Sequence, residues 1–386
     1  MTIDLKKIKI IMLWIMIAML FTGCSYQNEL NDLKITIGMG IDKDALNPRN
    51  VKLIAQIVKP EELSEPLSGD GDGPKGYMNI ESSGENTFDA IREFTHSVHG
   101  RLYMAHNVVF VIGKDAAEEG INQYLDFFIR SLETRPLTKI IIVEGTASEA
   151  LEVKTEFNTM PAMCIDYLIE AQYLTAHSTE TTIKDYINAM VSKTSSFTAP
   201  ILRIKRDEDK ETMYVEGIAV FKQDKLIGAL DKEESRGLLW VKGQVESGPI
   251  NIDIDEGKVA IEIADASSKV TYKFAEGKPV VNVEISVEGL LATQTCKRNL
   301  ETLDGIKQLE HLMKNEIEEE IKKSLKKAQN LNCDIYDFGE GYHKYHNENW
   351  EKMAPYWDEI FPVLSVDFEV KGKIVSAGTI VKPISP

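Results

Sequence analysis

Five of the seven histidines fall in two short clusters, His96-x-x-His99 with His106, and His343-x-x-His346. Imidazoles three residues apart on a helix share a face, so either cluster could begin a zinc site of the kind an exported hydrolase uses. Such a site needs convergent ligands and a second shell that orients them. On a helical wheel His96 lies opposite the Phe88/Ile91/Phe94 stripe and points to solvent, while His106 sits beyond Gly100 beside a strand. The second pair stands in "GYHKYHNENW", whose aromatic neighbours point to packing. "GDGDGPKGYMNIE" places Asp70, Asp72 and Glu81 at positions one, three and twelve of a calcium loop, but Pro74 and Lys75 occupy the positions of a ligand and the turn glycine. "IGMGID" offers Gly38 and Gly40 without the third glycine and following helix of a dinucleotide site. No phosphate loop, G-x-S-x-G elbow or H-E-x-x-H is present, and no carboxylate pair stands out as acid and base. The sequence offers no reaction, no cofactor and no metal, and reads as that of a non-enzyme.

One residue does invite covalent chemistry. Lys6, Lys7 and Lys9 precede an apolar run, Ile10 to Phe21, that ends "LFTGC" and turns polar at once. A twelve-residue helix is about 18 Å long, short of a ~30 Å hydrocarbon core, so the segment reads as an export signal. Its end resembles the lipobox of bacterial lipoproteins, with Phe21 where Leu is commoner. That resemblance implies cleavage between Gly23 and Cys24 and conversion of Cys24 to an S-diacylglycerol, N-acyl cysteine. Removal of residues 1–23 takes three lysines and one aspartate with it, which moves the formal charge from −17 to −19. An acidic chain gains nothing from an anionic surface, so membrane attachment falls to the acyl chains, two or more of which anchor stably. The same charge balance excludes nucleic acid as a partner.

The remaining 363 residues are long enough for two or three domains. After Cys24 only Cys164, Cys296 and Cys333 remain, without C-x-x-C, so no disulfide framework is built, although one bridge between any two is allowed. Cys164, within "MCIDYLI", reads as a buried small hydrophobe.

The elements that would carry these residues alternate in the first half. "LKITIGMGID" and "VKLIAQIVK" are neighbouring strands, and an acidic Gly/Pro/Ser loop follows. Phe88 to Val98 makes a helix, "VVFVIG" a buried strand, and Ala117, Ile121, Tyr124, Leu125, Phe128 and Leu132 one amphipathic helix capped by Asp115. "KIIIVEG" is another strand, followed by helices near 161–176 and 181–193. "MYVEGIAVFKQDKLIGAL" is a hairpin turning at Gln223-Asp224, and "DKEESRGLLW" a short helix. "INIDID", "KVAIEIAD", "KVTYKFAEG" and "PVVNVEISVEG" are four successive strands, which implies antiparallel sheet. A helix over about 299–330 carries Leu303, Ile306, Leu309, Met313, Ile317, Ile321 and Leu325 on one stripe, and "VLSVDFEVKGKIVSAGTIVK" closes as a strand pair. The pattern predicts a multi-domain α+β fold with mixed and antiparallel sheets, packed helices and one long amphipathic helix near the end. The divisions are 1–23 signal peptide, 24–200 N-terminal α+β domain, 201–265 middle β-rich domain and 266–386 C-terminal domain.

Four blocks in order carry a resemblance: "GCSYQNELNDLKITIGMGIDKD", "GRLYMAHNVVFVIGKDAAEEGINQYLDFFIRSLETRP", "VEGIAVFKQDKLIGALDKEESRGLLWVKG" and "EIKKSLKKAQNLNCDIYDFGEGYHKYHNENWEKMAPYWDEIFPVLSVDFEVKGKI". They resemble the Ger(x)C spore-germination lipoproteins, C subunits of germinant receptors in endospore-forming bacteria. The chain departs from that family at Ser25-Tyr26, where many members have Trp-Asp, and at Tyr336-Asp337-Phe338, where Phe-Gly-Phe is usual. The resemblance implies a three-domain α+β lipoprotein on the outer face of the spore inner membrane. It implies work there with an A subunit and a permease-like B subunit to sense nutrients. The alternative from another class is a lipid-anchored solute-binding protein, which joins two doubly wound lobes; the strand-rich second half fits it poorly.

Overall fold

Two apolar runs, Val109–Gly113 and Lys139–Val143, are buried at every position, as parallel strands covered on both faces must be. They form the centre of the computed structural model. It describes residues 33–60, 76–155, 160–194, 196–207, 210–254, 257–296, 300 and 302–376, besides positions 12 and 14.

In chain order the first sheet collects β1 (Leu33–Lys43), β2 (Val51–Val58), β3 (Tyr77–Gly84), the short β4 (Arg101–Tyr103), β5 (Val109–Gly113), β6 (Lys139–Val143), β7 (Ser196–Asp207), β8 (Lys210–Lys222) and β9 (Lys225–Leu230). Its spatial order is β3-β2-β1-β5-β6-β7-β8-β9, with β4 alongside β1. The centre, β1-β5-β6-β7, is parallel and both flanks are antiparallel hairpins. One face is covered by α1 (Thr87–Ser97), α2 (Lys114–Glu119), α3 (Asn122–Arg130) and α6 (Ile183–Val191), around Met39, Phe94, Phe110, Phe128 and Tyr186. The other is covered by α4 (Ala147–Glu152) and α5 (Pro161–Glu170), around Val111, Ile141, Leu151 and Ile165.

The second sheet has the order β10-β11-β12-β13: β10 (Pro249–Ile254), β11 (Gly257–Ala275), β12 (Lys278–Gln294) and β13 (Ser365–Ser376). The first three are antiparallel, but β13 returns parallel to β12, pairing Val280 with Ser365. The crossover between them carries α8 (Leu303–Asn330), which lies on the sheet with Leu309, Met313, Ile317 and Ile321 inward. The two units share β8. Ala219 and Phe221 pack into the first core, whereas Ile218 and Val220 join the core of the second.

The helix α7 (Lys232–Lys242) joins the units and supplies the strongest polar contact. Asp231 caps it, accepting from Glu233 N and Glu234 N, and Gly243 ends it in the left-handed conformation at φ 65°. From α7, Arg236 Nε donates to both oxygens of Glu320 at 3.0 and 2.9 Å, its Nη2 also donates to Oε1, and its Nη1 donates to Pro249 O at 2.7 Å. Trp240 Nε1 donates to Glu320 Oε2 at 2.9 Å. The two ionised side chains are 8% and 1% exposed. Gly237, one residue on, lets the helices touch, because a Cβ there would collide with the Glu320 backbone.

The structure matches the predicted α+β class and departs from it in detail. Gly120, at φ 126°, divides the expected helix of 117–132 into α2 and α3, and Leu132 stands fully exposed beyond its end. "KVAIEIAD" and "KVTYKFAEG" are one continuous strand, β11, held together by pairing along β12. Of the closing strand pair one strand is described, β13, and its partner is β12; residues 377–386 lie outside the described residues. Leu303 begins α8 but is 80% exposed, so the buried stripe starts at Leu309. Cys164 is half-buried rather than buried, and Cys164 and Cys333 carry free thiols.

A buried ion pair that loses one partner leaves an uncompensated charge, at a cost of about 3–5 kcal/mol. Chemical denaturation of Glu320→Leu is therefore expected to show a loss of that order. The double variant Arg236→Leu/Glu320→Leu should lose less than the single one. A double variant as unstable as the sum of both singles would show that the pair is not coupled.

Candidate functional site

The predicted ligand groups do not converge. His96 and His99 are exposed at the end of α1 and just past it, and His106 is exposed, with its ring 5.7 Å from that of Tyr103. His346 Nε2 contacts Tyr272 O at 2.9 Å and its ring meets Phe274, while His343 faces Glu340 and Trp350. Among the described residues no three His, Cys, Asp or Glu side chains are grouped to hold a metal. Asp70 and Asp72 lie outside the described residues. Glu81, on β3, pairs with Lys52 at 2.9 Å and accepts from Ser148 Oγ. Cys24, the lipid-attachment residue expected from the sequence, also lies outside them.

The Gly-x-Gly-x-Asp sequence has a packing role. A Cβ at Gly38 would strike Ala162 of α5, and one at Gly40 would press on Ala147 of α4, so the glycines bring both helices onto β1. Asp42 Oδ1 and Oδ2 accept from Ala147 N and Ser148 N at 2.7 and 3.0 Å, closing the N-terminus of α4 from a neighbouring strand. Burial pushes the Asp42 carboxyl up, against the pull of these two donors.

A polar cavity lies where the two units meet. It holds about 460 Å³ and is lined from three distant stretches: α6 and the start of β7 (Asp185, Asn188, Ser196, Thr198), the end of α7 (Lys242) and the start of α9, Phe338–Tyr345 (Asp337, Glu340). Four of its five charged side chains are engaged, and Glu180 is the fifth. Asp185 closes a capping box with Thr182, Lys242 Nζ meets Asp337 Oδ2 at 2.8 Å, and Glu340 Oε2 accepts from Lys193 N at 3.2 Å. Asp337 holds a left-handed conformation at φ 60°, unusual for a residue with a side chain, where the resembled family commonly has Gly. Its ion pair with Lys242 joins α7 to the segment leading into α9.

Under that segment Asp334 is buried and accepts from Phe338 N at 3.1 Å, Gly339 N at 2.7 Å and Trp357 Nε1 at 3.2 Å. It thereby fixes the start of α9 and the aromatic corner of Tyr272, Tyr342, Trp350 and Trp357. Gly341 sits against the Tyr272 ring with no room for a Cβ. Burial raises the Asp334 carboxyl to about 6. Burial also pushes the Cys333 thiol to about 11 and the Cys164 thiol up, so both are moved away from the thiolate that a nucleophile needs. Periodicity cannot reveal this cavity, since its walls come from segments some 150 residues apart; the one sequence cue is the pair of family-like blocks that meet at Lys242 and Asp337.

The raised Asp334 carboxyl has a pH consequence. Between its ordinary pKa and about 6 the native state holds a proton that the unfolded chain releases. The group's contribution to stability is thus fully present at low pH and is lost as pH rises through 6, a change of about 3 kcal/mol. Unfolding free energies of the parent chain, measured against Asp334→Asn from pH 4 to 7, should fall with pH relative to the variant up to about 6 and then run parallel. Parallel curves throughout would assign Asp334 an unshifted carboxyl.

Comparison with known proteins matches both halves of the chain. Residues 26–204 match the family described as "Spore germination protein N-terminal domain", and residues 216–378 match "Spore germination B3/ GerAC like, C-terminal". Spore germination protein KC of Bacillus subtilis (strain 168) is 27% identical, with 98% of each chain covered. Spore germination protein B3 of the same organism is 24% identical, covering 93% of this chain and 95% of that one. A crystal structure of the GerBC protein shares the fold, with a TM-score of 0.55 and 20% identity over 88% of this chain and 97% of that one. With two domain matches in series taking in most of the sequence, the chain belongs to the spore germination B3/GerAC-like family.

Proposed function

We propose that this chain is a non-enzymatic, lipid-anchored subunit of a nutrient germinant receptor, acting in spore germination with integral-membrane A and B subunits at the outer face of the membrane. The observation that carries the reading is the tandem match of both domains, together with full-length relatives named as spore germination proteins. The charged apolar leader ending at Gly23-Cys24 supports the anchor. The Lys242–Asp337 ion pair in the inter-unit cavity and the upward-shifted thiols fit a scaffold better than a catalyst.

In this reading the ectodomain presents faces to its partners, and Cys24 holds it at the membrane. Solute-binding lipoproteins close two doubly wound lobes on a ligand. Here the second sheet is made of long hairpin strands with one crossover helix, which supports the receptor reading over that one.

Affinity purification from gently solubilised spore membranes is expected to recover two multi-span membrane proteins with this chain in fixed proportion. Recovery of the chain alone in good yield would overturn the subunit assignment and make ligand binding by the ectodomain the next question. For the anchor, Cys24→Ala should move the protein from the membrane to the soluble fraction and slow the germination response. Full membrane retention with Ala at position 24 would remove the lipid from the account.

A further inference from the structure

Among the described residues five leucines stand exposed, 46, 132, 137, 174 and 303, and one turn holds two of them. Between α3 and β6 the sequence "SLETRPLTK" leaves Leu132 fully exposed at 103% and Leu137 at 72%. Ile129, at the end of α3, and Phe88, on the adjoining α1, add 37% and 51%. Arg135 stands exposed between the two leucines and enters no side-chain ion pair or hydrogen bond among the described residues. Three neighbouring cations are matched, Arg101 by Glu133, Arg130 by Asp126, and Lys139 by Asp166 and Glu170, and the Arg92 guanidinium lies 4.9 Å over the Phe88 ring. The turn therefore offers two apolar side chains and one free cation in a chain whose formal charge is −17.

Its position follows from the sheet register. Leu33, the first residue of β1, pairs with Arg101 of β4, and the Arg101 guanidinium holds Glu133, next to Leu132. The leucine turn and the start of β1 therefore lie at one end of the sheet. Eight residues, 25–32, separate Cys24 from Leu33, nine chain steps in all. Even fully extended they span only about 30 Å. The ten steps of β1 carry the chain about 33 Å away from Leu33, to the turn bearing the equally exposed Leu46 at the opposite end.

We propose that the Ser131–Thr138 turn is a membrane-docking surface, with Leu132 and Leu137 entering the interfacial region of the leaflet that holds the anchor and Arg135 meeting lipid phosphate. The inference rests on the proposed lipidation of Cys24, which the short tether converts into an orientation. An isolated pair of leucines cannot hold a protein on a bilayer, but beside a covalent anchor the encounter is intramolecular and a weak contact suffices. The docked sheet stands with the β1–β2 turn and Leu46 away from the lipid.

The test uses the full chain recovered from membranes and reconstituted in phosphatidylcholine–phosphatidylglycerol vesicles containing brominated phosphatidylcholine, which quenches tryptophan at contact depth. Tryptophans 240, 350 and 357 are buried, and Trp14 belongs to the leader that the proposed lipidation removes, so the background is low. Leu132→Trp and Leu137→Trp are expected to lose about half or more of their added emission, as interfacial side chains do, whereas Leu46→Trp should lose none. Equal, background-level quenching at 132, 137 and 46 would overturn the proposal, as would stronger quenching at 46. Flotation of the same vesicles reports the anchor separately. If the chain does not float, a hexahistidine placed before Ser25 and a nickel-chelating lipid replace the acyl chains, and quenching at 132 over 46 then decides docking on its own.

Discussion

The carboxylate of Glu320 receives Arg236 and Trp240 of one helix, and the same guanidinium holds the first carbonyl of β10. Three pieces of chain are fixed together by this group: the connector α7, the crossover helix α8 and the edge of the second sheet. An ion pair so deeply buried is weak evidence of net stabilisation, since desolvation of both charges offsets their attraction. What it supplies is uniqueness. Leucines would pack there in several registers, whereas a bidentate guanidinium on a carboxylate admits one, and Gly237 lets the two helices approach to that distance. The position of the second unit on the first, and so the cavity between them, depends on it.

The same logic, polar groups spent on positioning, accounts for the other conspicuous side chains. Asp42 looks like part of a nucleotide motif and closes a helix N-terminus; Asp334 looks like a buried acid and does the same for α9. Both are buried carboxylates satisfied by backbone donors, and both carry pKa values raised by burial. The glycines beside them, 38, 40, 339 and 341, remove side chains where a helix, strand or ring must come close. A molecule built this way invests its unusual residues in shape, as the proposed partner-presenting role requires.

Much of this was legible in the sequence where one local rule prevailed. Continuous apolar runs located β5 and β6, the Gln223-Asp224 turn located the β8–β9 hairpin, and "DKEESRGLLW" read as the short helix α7. Reading failed where tertiary context overrode the local signal. Cross-strand pairing with β12 carries β11 through a stretch that looks like a break, and Gly120 cuts a helix whose apolar period continues across it. The junction cavity and the Arg236–Glu320 pair were not legible at all, because residues 84 positions apart share no period. Leu132 of the 131–138 turn was read as the end of a helical stripe, since exposure is not written in spacing.

The parallel return of β13 onto β12 has a kinetic side. Val280 meets Ser365 only after some seventy intervening residues of crossover have been made, and α8 gains its apolar seat at the same moment. Contacts so distant in sequence make for slow closure, because the loop entropy is lost before the pairing compensates it. A chain delivered amino end first would complete its first sheet early, while the outer edge of β12 waited unpaired for the last described strand. The second unit is thus a late-closing half, exposed to mispairing until nearly the whole polypeptide is present. Truncations near the carboxyl end would be felt as failure to mature rather than as loss of a surface.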